Sequence, residues 1–317
     1  MNFNMLVKSQ DDYKNLVKEV EKKALGKSTL IFSSDRVYSK QFALCLASAI
    51  LEGGDCDGVH AQKVGLNAHP DVKVYPKGDK FVVADSQDIV DECFIKPIFA
   101  DKKIFIINDI DDAMEISQNK LLKVLEEPPT GVFFILTADN QNLVLPTIKS
   151  RCNKVELKKL SAQTISKVMM AYENGDLLAL MCDGNVGEAI ELAKKGDGKE
   201  IFDIALSLVT QMTSSKTLLM YSKKVLGLKD DALKVLKIIT FLLEDLLYLK
   251  VGNVKDVRFP LAKDALLRVI DEYSVRCICE IRKLVDNALK EISFNGNITL
   301  IVENLLLSVL EVKYICK

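Results

Sequence analysis

The chain has 317 residues, 49% of them hydrophobic and 27% charged, with a net charge of −1. That length leaves room for about two to three domains with apolar cores of their own. The near-neutral balance excludes a dedicated nucleic-acid binder with a continuous basic stripe, though not a small local patch.

In chain order, Tyr13–Ala24 reads as an amphipathic helix, Thr29–Ser33 as a strand and Lys40–Leu51 as an apolar helix. A loop rich in Gly, Asp and His follows, then Asp71–Pro76, which alternates like a strand. Ser86–Phe94 reads as a helix, and "KKIFIIND" (Lys102–Asp109) as a short apolar strand ending in acids. Ile116–Glu126 is a helix stopped by Pro128-Pro129, because a residue before proline avoids the helical region. Gly131–Ala138 and Cys152–Leu157 complete the strands. Strands alternating with helices of this size predict an α/β domain with a mainly parallel sheet.

From Ser161 the strand patterns stop. Ser161–Tyr172, Leu177–Met181 and Val186–Lys194 form a small helical cluster. From about Lys199 the pattern is long amphipathic helices with breaks at Gly227, Gly252-Asn253 and Asn295-Gly296-Asn297. The expected division is an α/β domain over 1–158, a helical lid over 159–198 and an all-α part over 199–317. The most apolar helix, Ile238–Leu249, is interrupted by Glu244-Asp245, and no charged-then-apolar leader is present. The expectation is a cytoplasmic protein without a membrane span.

Eight cysteines contain no C-x-x-C pair, and Cys277 and Cys279, two apart on a predicted helix, point away from each other. Cys56 and His60 have helical spacing but no second pair of ligands nearby, so free thiols are expected. Gly26-Lys27-Ser28 spells the end of the Walker A signature, yet the signature's first glycine falls on Glu21. The three residues also precede the first strand, whereas a phosphate loop must follow one and open a helix. They are read as the turn between helix and strand.

The stretch "NKLLKVLEEPPTGVFFILTADNQNLVLPTIKSRC" (Asn119–Cys152) runs amphipathic helix, acidic pair, double proline, buried strand, short helix, Ser-Arg-Cys. It resembles the ATPase domain of clamp-loader subunits of the AAA+ superfamily, most closely those of delta-prime type from the bacterial DNA polymerase III loader. His69-Pro70-Asp71-Val72, Phe241–Gly252 and Asn295–Leu307 resemble further family segments, so the likeness runs along nearly the whole chain. Only Asn119–Cys152 is highly specific.

The resemblance implies a degenerate AAA+ domain followed by a lid and an oligomerising collar. A phosphate loop is expected after the first strand, but Ser33–Ala43 has no glycine. There, Cβ atoms at Val37, Tyr38 and Ser39 obstruct the close approach of backbone to phosphate. Lys40 stands in the Walker lysine's position, with Ser39 the alternative. The metal-binding Asp and catalytic Glu of relatives align with Asn108 and Asp109, and a lid Arg aligns with Gly187. The resemblance therefore implies a subunit that is catalytically silent, binding neither ATP with magnesium nor any other cofactor. The family's zinc module normally has four cysteines, but Glu52–Asn67 retains only Cys56, too few ligands for zinc.

Ser150-Arg151-Cys152 is intact. In the family this Arg reaches into a neighbouring subunit's active site, where a guanidinium offsets charge on the transferring phosphoryl group. The alternative for Arg151 is a surface salt bridge. Cys152 is read as a small buried hydrophobe, Glu126-Glu127 as a solvated helix end, and Lys149 and Lys158-Lys159 as solvated lysines or phosphate contacts. The implied partners are the gamma/tau-type ATPase subunits and the delta subunit, with the sliding clamp and primer-template DNA reached through the complex. The competing readings are an active AAA+ ATPase, such as a loader motor or recombination helicase, and a plain DNA-binding module.

Overall fold

The computed structural model describes residues 3–54, 58–211, 215–228, 231–294 and 296–315, without the side chains of 215–219. They form two compact units, the first drawn from within 1–171 and 182–191 and the second from within 172–181 and 192–317.

The first unit opens with helices α1 (Phe3–Ser9) and α2 (Asp11–Glu21), followed by strand β1 (Ser28–Phe32). Helices α3 (Arg36–Glu52) and α4 (Val59–Gly65) come next, then β2 (Val72–Tyr75), α5 (Val83–Glu92) and β3 (Lys103–Ile107). Helix α6 (Glu115–Glu126), β4 (Val132–Ala138), α7 (Pro146–Lys149), β5 (Asn153–Glu156) and α8 (Ala162–Met169) complete its α/β part. The five strands are all parallel, in the order β2-β3-β4-β1-β5. β1, β3 and β4 are buried at every residue, as strands covered on both faces must be. β5 is an edge strand, and its exposed Lys154 and Glu156 discourage pairing with another sheet. One core layer is built on Leu30, Ile107 and Leu136, with the Phe105 and Phe134 rings stacked at 5.4 Å.

The predicted α/β alternation is present, with local differences: α1 precedes the first predicted helix, and α5 starts at Val83 rather than Ser86. Helix α3 starts at Arg36 rather than Lys40, because the Asp35 carboxylate accepts the Tyr38 N–H at 2.9 Å and so caps the extra turn. Helix α4 lies inside the stretch expected to be loop. Cys56 and Cys316, two of the cysteines considered above, lie outside the described residues.

Asp71, at the entry to β2, is almost wholly buried and accepts backbone N–H bonds from Ile98, Phe99 and Ala100 at 2.6–2.8 Å. It thereby fixes the connection into β3.

Helix α9 (Gly175–Met181) belongs to the second unit, and α10 (Val186–Lys195) starts in the first. Helices α11 (Gly198–Gln211), α12 (Ser215–Gly227), α13 (Ala232–Lys250), α14 (Lys263–Val269), α15 (Val275–Ser293) and α16 (Ile298–Ile315) follow. In the second unit α13 packs against α11 and α15, and α15 against α16. Asp245, in the middle of apolar α13, is fully buried and accepts from Arg258 N–H at 2.6 Å and Phe259 N–H at 2.8 Å. The acid that interrupts the apolar pattern thus anchors the connection after the helix. Among the described residues no helix is long and apolar enough to cross a membrane.

Burial by itself would push the Asp71 carboxyl up, but its backbone donors and His69 together hold it below the usual carboxylate range. A lowered folded-state pKa contributes stability above the unfolded value and loses it as pH falls through the folded one. Asp71→Asn should therefore cost about 1.5–3 kcal/mol at neutral pH. In urea titrations the gap to wild type should close as the pH is lowered.

Candidate functional site

In an open parallel sheet, ligand sites form beyond the carboxyl ends of the strands. Here those ends carry the β1–α3 connection Ser33-Ser34-Asp35, Asn108-Asp109 after β3, and Asp139-Asn140 after β4. Lys27 lies at the opposite end of β1, its Nζ 4.0 Å from the centre of the Phe133 ring and its carbonyl accepting Phe134 N–H. Gly26-Lys27-Ser28 is therefore the approach to the strand, as the residue order indicates.

Ser39 and Lys40 both lie within α3 rather than in a loop. Ser39 is buried, and its hydroxyl donates to the Arg36 carbonyl at 3.1 Å. Lys40 Nζ lies 2.6 Å from Asp109 Oδ2. Asp109 occupies left-handed backbone space at φ 53°, a conformation Asp tolerates better than most residues, and its N–H donates to Thr137 Oγ1. Asn108 is buried next to it, with its side-chain oxygen lacking a hydrogen-bond partner among the described residues.

Arg36 completes the cluster. Its guanidinium hydrogen-bonds both carboxylate oxygens of Asp112 and comes within 3.8 Å of Asp111 and 3.9 Å of Asp109. The Arg36 hydrogen bond holds the Asp112 carboxyl below its ordinary range, and the same bond raises Arg36. Asp111, itself buried, accepts from Asp139 N–H and Asn140 N–H at 3.2 and 2.9 Å. Carboxylates gathered at the sheet edge are thus engaged by the chain's own cations and amides.

Gly187 stands in the first turn of α10. Its N–H donates to Asp35 Oδ2 at 3.0 Å, and a Cβ there would lie 2.7 Å from Asp35 Oδ1 and from Val37 Cβ. Any other residue there, Arg included, would require Asp35 or Val37 to move. Sequence reasoning missed Asp35, Arg36, Asp111 and Asp112. The acidic run Asp109–Asp112 and the Asp ahead of a helical pattern were the available signals.

Ser150-Arg151-Cys152 lies between α7 and β5, away from this cluster in sequence. The Ser150 hydroxyl donates to Thr147 O, and Cys152 is buried with its thiol pushed up to about 12 by burial, hence unreactive. Arg151 donates from Nε and Nη2 to Glu126 Oε2 at 3.0 and 2.7 Å, and from Nη1 to Thr147 O at 3.1 Å. Glu126 is more than half exposed. The surface ion pair considered for Arg151 is the arrangement in the isolated chain.

Near the region where the family carries a zinc module, judged eroded here, His60 Nδ1 and His69 Nε2 are 2.7 Å apart, and His69 Nδ1 accepts Asp71 N–H. The one cysteine retained there, Cys56, is outside the described residues.

Removing the Arg36 guanidinium takes the cation from beside Asp111 and Asp112, while Lys40 still pairs with Asp109. Arg36→Ala should lower unfolding stability by about 1 kcal/mol, the pair to Asp112 being partly exposed. Added salt should recover part of that loss by screening the remaining carboxylates. Unfolding curves at low and high ionic strength measure both effects.

Residues 8–161 match the protein family described as DNA polymerase III, delta subunit. The delta' subunit of DNA polymerase III from Bacillus subtilis is 29% identical over 197 residues, covering 59% of this chain and 60% of that protein. The tau subunit from Escherichia coli is 33% identical over 132 residues, 37% of this chain and 20% of its own length. The chain thus spans about 60% of the first relative's length and a fifth of the second's. A DNA polymerase III gamma subunit-related protein from Thermotoga maritima has a similar fold, with TM-score 0.50 and 20% identity over 96% of this chain and all of that one. Over residues 8–161 the chain is thus similar to the DNA polymerase III delta-subunit family, and its fold to that of a gamma subunit-related protein.

Proposed function

We propose that this chain is a catalytically silent, delta-prime-type subunit of a DNA polymerase III clamp loader, working in the cytoplasm. It would support ATP-dependent loading of the sliding clamp onto primed DNA without hydrolysing ATP itself. The observation that carries the silent reading is the β1–α3 connection. Where a phosphate loop would offer bare backbone N–H groups, Asp35 caps the helix with its own carboxylate. Lys40, in place of the Walker lysine, is engaged by Asp109, and the amide of Asn108 replaces a metal-facing carboxylate. In this reading the subunit holds neither magnesium nucleotide nor zinc.

Arg151 would act in trans, in the active site of a neighbouring gamma/tau-type ATPase subunit. Its pair with Glu126 is exposed, and such pairs are worth about 0–1 kcal/mol, so a phosphoryl group brought alongside can take the guanidinium over. Ser150 and Cys152 position it, one closing α7 and the other rooted in the core. Assembly with those ATPases and a delta subunit would use the all-α part. Leu300, Leu307 and Tyr314 are exposed at seven-residue spacing along α16, a stripe suited to another helix. The clamp and primer-template DNA would be reached through the assembled ring.

The test is clamp- and DNA-stimulated ATP hydrolysis by a loader reconstituted with its partner subunits, comparing wild type with Arg151→Ala. A trans-acting arginine finger contributes about 10³–10⁵ in rate at the site it completes. Other active sites in the ring persist, so total hydrolysis should drop clearly but incompletely while assembly is unchanged. Arg151→Lys should not restore it, lacking the planar fork. Unchanged hydrolysis in Arg151→Ala would remove the finger. Turnover by the purified chain alone would replace the silent reading with that of an active ATPase.

A further inference from the structure

Asp35 does more than an N-cap requires. It is almost wholly buried, and its backbone N–H is taken by Ser33 Oγ at 3.1 Å. One carboxylate oxygen accepts Tyr38 N–H at the start of α3 and the other accepts Gly187 N–H at the start of α10. A cap for α3 needs only the first bond, which a serine would make as well. The second reaches a residue 152 positions away, and Gly187 has no side chain where any Cβ would collide with Asp35 and Val37. Asn185 reinforces the junction, accepting Glu188 N–H at 2.7 Å and donating to the Ser34 carbonyl at 3.4 Å. A single negative charge thus lies between the N-termini of two helices, 17 and 10 residues long, each carrying partial positive charge at that end.

We propose that Asp35 is a built-in anion that latches the first turn of α10 onto the start of α3, holding them together without a bound ligand. Its carboxylate takes the two amide donors that an external anion would otherwise bridge. The latch is independent of Arg151, so the hydrolysis experiment and this proposal stand or fall separately.

Amide hydrogen exchange of the full chain tests it, using two variants of Asp35 itself, one that keeps a capping hydroxyl for α3 and one that removes the side chain. Asp35→Ser retains a good cap for Tyr38 but is too short to serve both donors. Tyr38 should keep wild-type protection, while Gly187 exchanges at least about tenfold faster, the effect of losing a charged acceptor for a buried donor. Asp35→Gly, tolerated at a cap, leaves both donors facing an open space. There Gly187 protection should fall likewise and be recovered by inorganic phosphate, but not by chloride at the same ionic strength. Wild type should respond to neither. Unchanged Gly187 exchange in Asp35→Ser would overturn the latch, and indifference of Asp35→Gly to phosphate would overturn the anion role.

Discussion

The chain leaves β1 at Phe32 and enters α3 at Arg36, and the three residues between them set the character of the sheet's functional edge. A connection this short has no slack to wrap around a phosphate group. It places a carboxylate at the helix N-terminus, where the helix's own amides favour negative charge. Once Asp35 is seated, Arg36 is delivered to the acids after β3, Ser39 turns inward, and Lys40 comes alongside Asp109. The glycine at 187 suits the same constraint, since a Cβ there would press on Asp35 and Val37 at 2.7 Å.

Arg151 and Asp35 illustrate opposite uses of charge. The Asp35 carboxylate is buried with both oxygens committed, so removing it strands donors in a poorly solvated place. The Arg151–Glu126 pair is open to water, weak, and free to exchange partners. The role proposed for Arg151 in a neighbour fits the second class, and that proposed for Asp35 within its own domain the first.

In the all-α unit the polar residues within apolar helices have structural work of the first kind. Asp245 ties down the backbone after α13, and Lys313, buried in α16, donates to the Tyr273 hydroxyl, which in turn donates to the Val209 carbonyl. The apolar residues left outside, such as those along α16, stand apart from that core.

The amino-acid sequence by itself determined the alternation of strands and helices, and with it the parallel sheet. Continuous apolar runs such as Gly131–Ala138, ended by turn residues and separated by amphipathic helices, have few other ways to bury themselves. It also carried the likeness to clamp-loader subunits, through the order of residues from Asn119 to Cys152, and it located Asn108, Asp109 and Lys40 at the carboxyl ends of the strands. Tertiary structure alone decided how the charges pair. Asp35 meets Gly187, Arg36 meets Asp112, and Asp71 meets the backbone of residues 98–100 across separations no local pattern encodes. Periodicity reports which face of an element is buried. It does not report which buried donor a carboxylate will find, because that depends on where the fold brings distant segments together.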